Sequence, residues 1–130
     1  MILQTTLSLA AAAALINFWL GLRTGRVRYS RKILHGDAGD PVLIRRMRAQ
    51  ANFVENTPFV LILIAVIEMT GKGGKWLAVV GSLYMLGRVA HAFGMDSDKP
   101  SPLRMVGFGV TVLTLLGLSA VAVLIALGRI

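Results

Sequence analysis

Arg48, Asn52 and Glu55 follow one another at i, i+4 and i+7 in the sequence. On a helix that spacing puts a cation, an amide and a carboxylate on one face. Arg88 and His91 recur at i, i+3 further along the chain. Ionisable groups inside apolar helices are costly, and by default they mark functional sites. At 1.5 Å rise per residue, Glu55 lies about 10 Å beyond Arg48, and Arg88 lies about 10 Å before Met95. If the two helices are neighbours, the opposite charges meet at one depth, and a Glu55–Arg88 ion pair is the simplest account. Such a pair alone would only tie two helices together. Gln50, Asn52, His91, Arg48 and Arg104 crowd the same rim, more polar capacity than one ion pair uses. Several cations, one carboxylate and amide groups suit a small zwitterionic, net-anionic ligand. Arginines take its carboxylates in bidentate fashion and a glutamate takes its amine.

Other polar residues carry blander readings. His35 falls in a solvated loop, and His91 by itself would be a helix-packing histidine. Glu68 can pair with Lys72 at i, i+4 as surface electrostatics. Pro58 frees a backbone carbonyl and can kink its helix just past Glu55. The glycines at 81, 87, 107, 109 and 117 suit close packing of helices. Two histidines, no cysteine and scattered acids make no metal set. Gly71-Lys72-Gly73-Gly74-Lys75 lacks the strand and the spacing of a phosphate loop.

The elements that position these residues follow from composition. The chain has 130 residues, 55% hydrophobic and 15% charged, with a mean hydropathy of +0.71. Residues 1–22 and 105–128 contain no Asp, Glu, Lys or Arg, and each block exceeds the roughly 20 apolar residues that cross a bilayer. A soluble enzyme, a disordered chain and a disulfide scaffold are excluded. The expected architecture is an all-α integral membrane protein, one four-helix domain over 1–130. Its helices lie near 2–22, 41–70, 76–95 and 103–127, with a basic loop at 23–40. The first segment is expected to be a retained helix, since it lacks the charged start of a signal peptide. Asp40 followed by Pro41 marks the start of helix 2.

The net charge is +8, which in a soluble protein would suggest nucleic acid. Here position outweighs the sum. Arg23, Arg26, Arg28, Arg31, Lys32, Arg45, Arg46, Arg48, Lys99 and Arg104 fall on one side, and Lys72, Lys75 and Arg129 on the other. The positive-inside rule then puts loops 1 and 3 in the cytoplasm and both termini outside. The basic excess meets anionic lipid headgroups, and nucleic acid is not an expected partner.

The stretch Arg48-Ala49-Gln50-Ala51-Asn52-Phe53-Val54-Glu55-Asn56-Thr57-Pro58 resembles the helix-2 pattern R-A-(H/Q)-x-N-x-x-E-x-x-P of the MAPEG superfamily, the membrane-associated proteins in eicosanoid and glutathione metabolism. Gly87-Arg88-Val89-Ala90-His91 is similar to its R-x-x-H, and Arg104 and Thr24-Gly25-Arg26-Val27-Arg28 also fit. The loop Gly36-Asp37-Ala38-Gly39-Asp40-Pro41 resembles the small bacterial branch. The resemblance implies a homotrimer of the bacterial inner membrane that binds reduced glutathione between subunits, near the cytoplasmic face. Arg48, Gln50, Asn52 and Glu55 would hold the tripeptide, with Glu55 near its amine. Arg28 would reach in from a neighbouring subunit, Arg88 would fix Glu55, and His91 would line the pocket. Arg104 would stabilise the glutathione thiolate as the catalytic residue. A cation beside a thiol lowers its pKa and raises its nucleophilic fraction. A small hydrophobic substrate would arrive through the lipid, to be conjugated or, as a hydroperoxide, reduced. Met95, Asn56 and Met105 stand where members of the family often carry hydroxyl groups.

The alternative is a non-catalytic protein of the same kind that binds a lipid or another anionic ligand in that pocket. A small four-span drug/proton exporter fits the length, but helix 1 lacks the acid such a protein uses.

Overall fold

The computed structural model describes residues 1–130 as four helices and no strand. These are α1 (Gln4–Arg31), α2 (Pro41–Met69), α3 (Lys75–Gly94) and α4 (Pro102–Ala126). All four are long and apolar enough to cross a membrane, and 82 of the 98 backbone hydrogen bonds fall within the helices, the pairing that lipid favours. Large apolar side chains such as Leu15, Phe18, Leu86, Leu113 and Leu116 face outward. In water they would be a liability; in a bilayer they are the solvated surface.

The start of α2 forms as expected. Asp40 Oδ1 accepts from the backbone N–H groups of Val42 and Leu43, each at 3.0 Å, and Pro41 takes the first helical position, where its missing N–H costs nothing. The end of α1 differs from the sequence reading. The helix runs on through the basic stretch to Arg31, so only the residues from Lys32 to Asp40 connect it to α2. Arginine is a good helix former, and Arg28 and Arg31 in the last turn complement the negative end of the dipole. Charge density imitated a loop where a solvated helical extension forms. Lys32 then adopts a left-handed conformation, and the N–H of Ile33 returns to the carbonyl of Arg28.

Glu68 also departs from expectation. It is not paired with Lys72 but caps α1, accepting from the N–H groups of Thr5 and Thr6 at 2.9 and 2.8 Å and from Thr6 Oγ1 at 2.7 Å. The unsatisfied amides at a helix start attract a carboxylate more strongly than an exposed lysine does. α2 continues through Pro58 to Met69, and Thr57 Oγ1 meets Tyr84 Oη at 2.9 Å.

The tightest packing is between α3 and α4, and glycines permit it. A Cβ on Gly107 would lie 2.5 Å from His91 Cβ, and one on Gly94 would lie 2.2 Å from the backbone nitrogen of Arg104. Gly87 and Gly81 are close to Val110 and Leu9 respectively. Gly109 and Gly117 have open space beside them and pack against no other helix of the chain.

Candidate functional site

Arg88 organises the polar interior. It is 2% exposed, and its guanidinium donates from Nη1 to Thr111 Oγ1 at 2.9 Å and from Nη2 to Asn52 Oδ1 at 2.6 Å. His91 Nδ1 lies 3.4 Å from Nη2. Thr111 Oγ1 in turn donates to the carbonyl of Gly107 at 2.9 Å. One cation thus joins α2, α3 and α4 through neutral acceptors.

The expected Glu55–Arg88 ion pair does not form. Glu55 is exposed on α2 and has neither a salt bridge nor a hydrogen bond within the chain. Glu55, three positions beyond Asn52, turns away from α3 and is exposed, while Asn52 points at Arg88. Asn52 is therefore the α2 residue opposite Arg88, and Thr111, unmarked in the sequence, completes the set.

Beside this network, Arg48, Asn52, His91 and Arg104 line one cavity of about 560 Å³ with Met95, Met105, Phe108 and the connecting residues Asp98 to Ser101. That size lies within the range of small-molecule sites. α2 supplies Arg48 and Asn52, α3 supplies His91, and α4 supplies Arg104. The close approach of Gly94 to Arg104 folds the short α3–α4 connection back over the cavity. Asp98 and Lys99 enter the rim by that route. Three cations (Arg48, Lys99 and Arg104) face one carboxylate there, a balance that favours an anionic ligand carrying an amine. Asp98 and Lys99 were not singled out from the sequence; their signal was proximity to the Pro100–Pro102 turn, which lacks any periodicity.

The remaining expected residues lie elsewhere in the subunit. Arg28 donates to the carbonyl of Gly36 at 2.7 Å and lies 3.5 Å from Met47 Sδ. Gln50 turns toward α1, with its Nε2 3.5 Å from Asn17 Oδ1. Glu55 sits one turn deeper than Asn52 on the outer face of α2. The single chain brings together Arg48, Asn52, His91 and Arg104, with Arg88 behind them, and leaves Arg28, Gln50 and Glu55 outside.

The chain is similar to Inner membrane protein YecN of Escherichia coli strain K12, and to the protein of that name from Escherichia coli O6:H1. Each is 27% identical over 85 residues. The matched stretch covers 65% of this chain and 65% of each relative, just under two thirds of their length. The MAPEG family model matches far more, residues 6–124. That range includes all four helices' apolar spans and every residue of the cavity, and the chain belongs to the MAPEG family.

Proposed function

We propose that this chain is a glutathione-dependent transferase or peroxidase of the inner membrane, acting on apolar electrophiles or lipid hydroperoxides. The observation that carries the reading is that Arg48 and Arg104 line one cavity with Asn52, whose amide oxygen is held by Arg88. Glutathione has two carboxylates, one amine, two amides and a thiol. Arg48 and Lys99 match its carboxylates, Asp98 its amine and Asn52 its peptide groups. Met95, Met105 and Phe108 supply an apolar wall toward the lipid for the second substrate.

Arg104 is the residue to stabilise the thiolate. The thiol proton leaves through the solvated mouth, and the guanidinium holds the anion that remains. In conjugation, the thiolate sulfur forms a bond to the electrophilic carbon as the leaving group takes its electron pair. With a hydroperoxide it attacks the terminal oxygen, giving an alcohol and a sulfenic acid, and a second glutathione then yields disulfide and water. Arg28 reaches the ligand from a neighbouring subunit in the homotrimer that goes with this function. Loops 1 and 3 face the cytoplasm, where glutathione is supplied.

Purified protein should turn over an electrophile or a lipid hydroperoxide with saturable dependence on glutathione. It should also develop a thiolate absorbance near neutral pH that disappears in Arg104→Ala. Glutathione-independent turnover, or a thiolate signal unchanged in that variant, contradicts the assignment. One observation favours a second reading, a non-catalytic pocket for a lipid or other anionic ligand. No tyrosine reaches the cavity: Tyr84 is bonded to Thr57 and Tyr29 lies near the end of α1. Binding without turnover would select it.

A further inference from the structure

A second group of charges occupies the same end of the bundle, on faces of α1, α2 and α3 that share no lining residue with the Arg48–Arg104 cavity. Arg23 of α1 is 7% exposed. Its Nη2 pairs with Asp96, just past the end of α3, and its guanidinium lies 4.8 Å from the Trp19 ring centre and 5.2 Å from that of Phe93. Arg46 of α2 approaches the other carboxylate oxygen, with Nε 3.0 Å from Oδ1. Asp96 is therefore shared by two guanidinium groups and can neutralise only one. Arg26 and Ser30, further along α1, line with these residues a cavity of about 610 Å³. Three arginines face a single carboxylate across it. Arg23 Nη1 is buried and has no acceptor in the chain, and Asp96 Oδ1 meets Arg46 as an ion pair without a hydrogen bond.

The order of polarity along the helices is also informative. Trp19 precedes Arg23 by four positions and Phe93 precedes Asp96 by three, so each ring sits about 5 Å deeper than its charge. Phe93 and Leu22 remain exposed beside the charges. An aromatic apolar floor beneath a surplus of guanidinium groups matches a phospholipid at the membrane interface, acyl chain below and phosphate above. Water could fill the cavity but would leave the surplus positive charge uncompensated. We propose that Arg23, Arg26 and Arg46 form a phosphate-binding site and that an anionic phospholipid headgroup supplies the phosphate. Arg23, fixed by Asp96 and the two rings, is the rigid element, and Arg26 and Arg46 close on the phosphate oxygens.

The test is native mass spectrometry of the detergent-purified chain titrated with phosphatidylglycerol or phosphatidylcholine, with Arg26→Gln and Arg46→Gln as variants. Both leave the Arg23–Asp96 pair in place, and Arg26 is exposed, so Arg26→Gln removes charge without disturbing packing. Phosphatidylglycerol should bind in preference to phosphatidylcholine. Each variant should weaken that binding about tenfold, as loss of a charge-assisted hydrogen bond implies, while Arg48→Gln in the other cavity should not. Wild-type affinity in both variants, or no preference for the anionic lipid, overturns the site. Displacement of the lipid by millimolar inorganic phosphate overturns the lipid as the source of the phosphate.

Discussion

Arg88 is a buried cation whose partners in the chain are neutral, a hydroxyl and an amide oxygen. Removing either acceptor strands a guanidinium N–H, and an unsatisfied buried donor costs about 1–3 kcal/mol. Asn52→Leu and Thr111→Val should each lower stability by that amount in denaturant titration of the detergent-solubilised protein. Glu55→Gln should stay within about 0.5 kcal/mol, as a surface change does. An equal loss in Glu55→Gln would instead make the carboxylate Arg88's working partner. The sequence marked Arg88 as a buried cation needing something from α2, because charge inside an apolar helix stands out. It could not mark Thr111, since a threonine in an apolar helix is unremarkable until a guanidinium is aimed at it. That Asn52 and not Glu55 meets Arg88 depends on how α2 turns its face against α3, which residue counting does not resolve.

Two contacts decide how the helices present the cavity. Gly107 lies against His91, and Gly94 against Arg104; together they hold the start of α4 against the end of α3, where Arg104 lines one cavity with Arg48. Gly107→Leu should overpack this seam, costing about 1–3 kcal/mol in the same titration, and should weaken ligand binding with it. Gly109→Ala, with open space beside it, should be neutral or stabilising by up to about 1 kcal/mol. Equal damage at both positions would refute the close-packing account. The start of α2 depends on Asp40. The backbone N–H of Leu43 is the largest influence holding its carboxyl below the usual range, against the opposing effect of desolvation and with Arg31 and the N–H of Val42 assisting. A depressed folded pKa gives stability that is complete above the ordinary carboxyl range and is lost as pH falls through the lowered value. Proteolysis of the 32–40 connection should therefore rise as pH drops below about 4, and Asp40→Asn should blunt that rise. The α2 start was legible because Asp-Pro is a local signal. The true end of α1 was not, since Arg23 to Arg31 holds only Val27 and Tyr29 as apolar side chains, too few to draw a helical stripe.

At the scale of the molecule, ten basic residues gather at the end formed by the α1–α2 and α3–α4 connections, and three at the other. That asymmetry predicts the α1–α2 connection in the cytoplasm. The chain has no cysteine, so a single His35→Cys should label only from the cytoplasmic side and Lys72→Cys only from outside; the reverse pattern would invert the topology. The four apolar spans and the family were legible early, one from composition and the other from the Arg48–Pro58 motif. The pocket was partly legible, because Arg48, Asn52, His91 and Arg104 stand out as polar groups on apolar helices, whereas Asp98 to Ser101 enter through a connection that only packing folds back. Glutathione binding in that pocket underlies every other assignment made for the site. Isothermal titration of glutathione into the purified wild-type protein should give saturable binding at or below millimolar concentration. Binding should be weakened about tenfold or more in Arg48→Ala, by loss of a charge-assisted carboxylate contact. No detectable heat of binding at millimolar glutathione, or equal affinity in Arg48→Ala, would contradict it.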